Sequence, residues 1–248
     1  MTDVELPPIE QFVALTQARR SIHGFDRSRD VPDESIQLIL EAARWAPSGG
    51  NGQPWQFIVI RDAAMRHRIA DLYEKQLEPK REMELAVRGQ VRMTGAGFRH
   101  APVFIIVLGD PRVNLSYPVR TMLEKSARHF YSGLANACLS LMLAATCLGL
   151  AAQYCSDASS PYMSTMLKVW LGVPDPLEVY ELIPIGWPNV QVAAPPRRRL
   201  DDLVHREHYD MEKYVSDEQM RQWLWTESRL GAYGKGPSPA AKERGLIE

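Results

Sequence analysis

The chain has 248 residues, 45% of them hydrophobic and 24% charged, with a formal net charge of −1. This is a globular composition with enough apolar side chains to bury a sizeable core, and one compact domain is the default expectation. The balanced charge argues against a surface that neutralises nucleic-acid phosphates, because no long basic run occurs outside Arg197, Arg198 and Arg199.

In chain order, the first ten residues are acidic and proline-containing, with no basic segment leading into an apolar one, so nothing directs export. Residues 9–20 and 33–46 read as helices. The second has Asp33 as a candidate N-cap, Ile36, Ile39, Leu40 and Ala43 along one face, and Pro47 past its end. Residues 55–60 read as a strand, and residues 63–76 as a third helix. Residues 77–99, with Pro79, Lys80, Arg81, Arg88 and Arg92, form a long polar stretch between two core elements. It suits either a substrate lid or a solvated helix face.

Residues 102–109 (PVFIIVLG) form a continuous apolar run, as expected of a strand covered on both faces. A long helix is expected over residues 121–148, stopped at Gly149. Its apolar run, 134–152, is interrupted by Asn136, Ser140, Thr146 and Gly149, which suits a core helix better than a membrane span. A strand over 150–155, a helix over 162–171 and a last strand over 179–185 follow, before the Gly186-Trp-Pro188 turn. Cys138, Cys147 and Cys155 make no C-x-x-C pair and no closed disulfide framework, and the first two read as small buried hydrophobes. Beyond residue 200 the chain is polar yet carries Trp223 and Trp225, which need a surface to cover them, and residues 231–241 read as loosely ordered. The expected organisation is a main domain over residues 1–210 and a C-terminal extension over 211–248 packed on a partner subunit. The expected location is the cytoplasm, with no nucleic-acid or membrane partner.

Three clusters suit different parts of one ligand. Arg19, Arg20, Ser21 and His23 end the first helix, where guanidinium forks and a hydroxyl can meet a phosphate or the polar edge of a ring; the bland reading is dipole compensation. The loop Ala46-Pro-Ser-Gly-Gly-Asn-Gly-Gln-Pro-Trp55 carries more glycine, proline and polar side chains than a tight connection needs. Its glycines allow close approach to a flat ligand, while Ser48, Asn51 and Gln53 offer polar contacts. Pro195-Pro-Arg-Arg-Arg199 is a phosphate-type patch or a solvated turn.

Arg19-Arg-Ser-Ile-His-Gly-Phe25, Ala46-Pro-Ser-Gly-Gly-Asn-Gly-Gln-Pro-Trp-Gln-Phe57, Gly149-Leu150, Ile183-Pro-Ile-Gly-Trp-Pro188 and the arginine triplet, in this order, resemble the nitroreductase superfamily over residues 9–205. The resemblance implies an α+β fold, with a mixed, mainly antiparallel sheet flanked by helices, in an intertwined homodimer with two FMN sites at the interface. Carried over by position, Arg19, Arg20, Ser21 and Arg197 would hold the phosphate and ribityl chain, with Arg199 a second phosphate contact. Pro47, Ser48, Gly49, Gly50 and Asn51 would come from the other subunit and line the isoalloxazine. Tyr154, Cys155 and Ser156 would run along the ring and place a backbone N–H or the Ser156 hydroxyl near N5. His23 stands where many family members carry Arg or Lys, close to N1/O2.

The implied activity is electron transfer from NADH or NADPH through FMN to a small organic acceptor such as a nitroaromatic or quinone. The flavin carries the redox chemistry, so no side chain is named as catalytic. Spacing over 149–156 and 183–188 resembles the iodotyrosine deiodinase branch, which would make the chain a reductive dehalogenase. That branch's lid carries a Glu-x-x-x-Tyr pair and a Lys, and no Tyr occurs here between Tyr73 and Tyr117. A flavin-binding sensor or storage protein is the alternative from another class. His205 and His208 sit at i, i+3 spacing with no third ligand nearby, and no G-x-G-x-x-G follows a strand, so no metal and no dinucleotide fold is expected.

Overall fold

The computed structural model describes residues 6–88 and 95–224. They fall into two compact units, residues 6–77 with 95–192 and residues 78–88 with 193–224. Trp225, Arg92 and the stretch 231–241 lie outside the described residues.

The first unit is built on one antiparallel sheet in the order β1-β2-β4-β3, with β1 at Trp55–Ile60, β2 at Val103–Gly109, β3 at Ala151–Ala152 and β4 at Glu178–Gly186. The apolar run of β2 is buried along its whole length, because both faces are covered. Val103, Ile105 and Val107 join the core beneath α2 (Asp33–Arg44) and α4 (Val119–Cys147). Phe104, on the opposite face, meets Phe98 edge-on at 5.5 Å, and Phe98 meets Tyr73 of α3 (Ala63–Arg88) at 5.0 Å. The sheet is therefore the middle of three layers. At the β2 end, a Cβ on Gly109 would lie 2.6 Å from the Phe130 ring, so only glycine lets α4 approach this closely.

Helix α4 is long and apolar enough to cross a membrane by length and composition. Its inner face, with Leu134, Ala137, Cys138, Leu141 and Ala145, is instead buried against the sheet, as its polar interruptions led one to expect. It stops where expected, at Gly149 with φ +71. Helix α5 (Pro161–Leu171) likewise ends at Gly172 with φ +66.

Four local expectations are corrected, the first being Cys147, which read as buried but is exposed at the end of α4. Pro32, not Asp33, occupies the N-cap of α2; Asp33 is the first helical residue and ion-pairs with Arg61 at 2.6 Å. The strand expected over 150–155 pairs with β4 only at Ala151–Ala152, touching it again at the isolated Cys155–Leu182 bridge. Helix α3 runs on through Pro79 to Arg88, so the described part of the polar stretch, residues 77–88, is helical. The boundary between the two units falls within it, after residue 77.

In the second unit, α6 (Leu200–Leu203) is a single turn. Helix α7 (Asp217–Trp223) opens with a reciprocal capping box between Ser216 and Gln219. Helix α1 (Ile9–Ala18) belongs to the first unit and buries none of its residues.

Candidate functional site

The segment after α1 turns into the sheet edge. Ile22 donates its N–H to the Ala152 carbonyl at 3.0 Å, and Ser21 forms a parallel bridge with Ala152, the one parallel element of an otherwise antiparallel sheet among the described residues. Further along, Asp26 N–H donates to Trp187 O at 2.9 Å and Phe25 bridges Pro188. Three sequence motifs, 19–25, 149–156 and 183–188, are thus joined by backbone hydrogen bonds.

At this junction two buried polar atoms have no partner: Arg20 Nε, one residue before the bridge, and Gln153 Oε1, one residue after it. Arg20 Nη1 is folded back on the carbonyls of Gln17 and Arg19. Arg19 is half-buried and Ser21 exposed. His23 is partly desolvated, which lowers its pKa below the ordinary histidine value, and Gly97 packs so closely on it that an added Cβ would lie 2.5 Å from His23 O.

Tyr154, Cys155 and Ser156 are pinned from two sides. Cys155 N–H donates to Leu182 O at 3.0 Å, and its thiol is buried. The Tyr154 hydroxyl donates to Tyr180 at 3.0 Å, turning that ring toward the core. On the α3 side, the Ser160 hydroxyl donates to Gln76 Oε1 at 2.6 Å, and Gln76 reaches the Asp157 carbonyl at 3.5 Å. Ser156 alone of the three is exposed. Gln76 and Glu181, both buried beside this segment, carried no expectation from sequence; the signal for Glu181 is a carboxylate inside an apolar strand.

The glycine loop is held elsewhere, on α4. Asn136 Nδ2 donates to the Pro47 carbonyl at 3.0 Å, and the Ser48 hydroxyl accepts Gln53 N–H at 3.0 Å. Gly50, Asn51 and Gln53 have φ of +56, +53 and +47. Left-handed backbone at two non-glycine residues costs roughly 1–2 kcal/mol each and is typical of functional loops. Gly49 answers to packing within the chain: a Cβ there would lie 3.0 Å from both the Tyr117 hydroxyl and His129 Cβ. Gly50, Asn51 and Gln53 are exposed.

Arg197 and Arg199 belong to the second unit, where with Arg198, Lys213, Tyr214 and Trp223 they line a cavity of about 490 Å³. Arg197 donates to the carbonyls of Pro195 and Pro196, and Arg199 lies 3.8 Å from Asp201. His205 Nδ1 accepts the Asp210 amide at 3.1 Å, which gives that histidine a local structural use.

The layered α+β fold, with its motifs meeting at one sheet edge, defines the class of protein. The model of the nitroreductase family matches residues 16–187, and the chain belongs to that family. An Archaeoglobus fulgidus protein with the provisional name NADH dehydrogenase/NAD(P)H nitroreductase is 27% identical over 203 residues, covering 81% of this chain and 100% of its own. Rat iodotyrosine deiodinase 1 is 28% identical over 206 residues, covering 79% of this chain and 69% of its own. Among solved structures, the nitroreductase CinD of Lactococcus lactis superposes with a TM-score of 0.65 at 18% identity, over 79% of this chain and 100% of that one. The fold expected from the resemblance, a mainly antiparallel sheet flanked by helices, is the fold observed.

Proposed function

We propose that this oxidoreductase binds FMN and passes electrons from NADH or NADPH to a small organic acceptor, as a homodimer in the cytoplasm. One observation carries the reading: the Ser21–Ala152 junction holds a guanidinium and an amide whose Arg20 Nε and Gln153 Oε1 are buried without partners. Orphaned buried polar atoms are costly, and a polar ligand that bonds them offsets that cost. FMN, with phosphate, ribityl hydroxyls and a polar ring edge, has the complementary groups.

When bound, FMN supplies the redox chemistry. The chain's part is to hold and bias it. Arg19, Arg20 and Ser21 bind the phosphate and ribityl chain, His23 faces the N1/O2 edge, and the exposed Ser156 offers a hydroxyl or N–H toward N5. Pro47, Ser48, Gly49, Gly50, Asn51 and Gln53 serve the other subunit's ring from their strained, exposed loop. The homodimer accounts for apolar surface that the single chain leaves open: Phe12 on α1, with Val119, Leu123 and Leu139 on α4, are 49%, 68%, 77% and 48% exposed. The provisional name of the Archaeoglobus fulgidus relative supports the nicotinamide donor. The rat deiodinase supports reductive dehalogenation as a second reading of the acceptor.

The test is the visible absorption spectrum of the purified protein with FMN, before and after NADH or NADPH without oxygen. Flavin bands that bleach are expected. Bands that persist with both donors would make the protein a flavin-binding sensor, and failure to bind FMN would overturn the reading.

A further inference from the structure

Among the described residues Glu181 is the one charged side chain buried in the core, at 1% exposure. It sits in β4 opposite Val107, whose side chain faces α4, so the carboxylate points into the same apolar layer. The register slips by one residue at this point, since Val107 pairs with Glu181 but Leu108 pairs with Val179. Tyr180 is the extra residue of this bulge, and the slip brings its ring to the same side as Glu181. Glu181 Oε1 has no partner, although a carboxylate buried this deeply needs its oxygens satisfied.

The groups around it form a short chain. Tyr154 lies 3.0 Å from Tyr180, hydroxyl to hydroxyl, and the Tyr154 hydroxyl is near enough to the Glu181 carboxylate to oppose the rise in its pKa. A hydroxyl has one proton, so Tyr154 donates to only one of them at a time. With Glu181 ionised, Tyr154 donates to the carboxylate and Tyr180 donates to Tyr154. With Glu181 protonated, the acid donates to Tyr154 and Tyr154 donates to Tyr180. One proton from solvent enters, none is lost elsewhere, and no electron moves. The outer end of the chain reaches the surface, where Tyr131 stacks on Tyr180 and donates to Glu178 at 2.9 Å.

We propose that Glu181 is a proton-switched positioning residue: its protonation sets the direction of the Tyr154–Tyr180 hydrogen-bond chain and, through Tyr154, the presentation of Cys155 and Ser156. Its effect on a bound cofactor rests on the FMN reading above; the switch itself does not.

Burial pushes the Glu181 carboxyl up to about 8, with Asp157 adding to the rise and the Leu182 amide and Tyr154 hydroxyl opposing it. The other titratable groups facing it are Cys138 on α4, Tyr180 on its own strand, and Tyr154 and Cys155 on the loop. All four are held above their ordinary values, by burial first, so they stay neutral while Glu181 titrates.

The experiment is solution NMR of the full chain without cofactor, labelled with 13C at tyrosine Cζ and glutamate Cδ, titrated from about pH 6 to about pH 10. Glu181 Cδ and the Tyr154 and Tyr180 Cζ resonances should move together, with one midpoint near 8. In Glu181→Gln the tyrosine inflection should vanish. If that variant does not fold, the wild-type coincidence decides. Tyrosine resonances that stay flat while Glu181 titrates, or that keep the inflection in Glu181→Gln, overturn the switch. A parallel FMN titration should give an affinity that changes several-fold across the same midpoint. Bound FMN with a flat affinity would overturn the link to the site, whereas no FMN binding at any pH would overturn the flavin reading and leave the tyrosine titration to decide the switch.

Discussion

Ser21 and Ala152 meet as a parallel bridge at the edge of an antiparallel sheet, and this pairing sets the end of α1 beside the chain that leaves α4. Arg20, next to the bridge, keeps a buried Nε without a partner. Arg20→Ala should therefore weaken FMN binding about 10- to 100-fold, the equivalent of roughly 1.5–3 kcal/mol for lost charge-assisted hydrogen bonds. The protein without FMN should lose little, because Arg20 bonds only the nearby carbonyls of Gln17 and Arg19. Fluorescence titration with FMN and thermal melts of the FMN-free protein check the two halves. Equal FMN affinity in both proteins would remove Arg20 from the site.

His23 places a titratable group where a fixed cation would favour the reduced flavin. Its desolvation lowers the pKa from the ordinary value of 6.5, so the ring is neutral at neutral pH. The flavin midpoint potential should then be higher in His23→Arg than in the wild type at pH 7. The gap should close as pH falls and His23 becomes charged. Spectroelectrochemical potentials that coincide from about pH 6 to about pH 8 would refute this.

The glycine loop separates packing from backbone conformation. At Gly49 an alanine Cβ would sit 3.0 Å from Tyr117 and His129, an overpacking that should cost about 1–3 kcal/mol. At Gly50, φ is +56 and the nearest ring atom is 3.3 Å away, so the cost of alanine is mainly conformational, about 1–2 kcal/mol. Asparagine, which tolerates this region better, should recover part of that cost at Gly50 and none at Gly49. Urea denaturation of the four variants tests the contrast; equal behaviour at both positions would contradict it.

What could be read in the sequence depended on how local the cause was. The β1 boundaries follow from Pro54 and the apolar run behind it, and Gly149 and Gly172 stop their helices through their own φ. The strand expected over 150–155 shrinks to two residues because it pairs in register with β4 only at Ala151 and Ala152, with single contacts from Gln153 N–H to Pro184 O and at the Cys155–Leu182 bridge, a fact of the neighbour and not of the segment. The helix expected over residues 63–76 continues through Pro79 to Arg88. At the site, the Arg19–His23 cluster and the 154–156 segment were legible as motifs, but their meeting at Ala152 was not, since a parallel bridge across 131 residues leaves no local pattern. Glu181 was visible only as one charge in Val-Tyr-Glu-Leu-Ile-Pro-Ile; alternation places it on the face of Ile183 and Ile185, which the structure buries under α4, and the bulge adds Tyr180 to that face.

The burial of Glu181 has a consequence for stability. The Glu181 carboxyl titrates at about 8 in the folded chain against an ordinary value of 4.5. Between those values the unfolded chain has released a proton that the folded chain retains, so folding is favoured less and less as pH rises. The contribution is fully present below 4.5, declines until about 8, and is constant above. Its total is on the order of a few kcal/mol. Glu181→Gln removes the titrating group and should flatten this part of the stability profile, so that the variant gains on the wild type as pH rises. Urea midpoints at intervals from about pH 5 to about pH 9 measure the difference. A wild-type minus variant difference that stays constant over that range would show that Glu181 is already ionised in the folded protein, and the proton switch would fall with it.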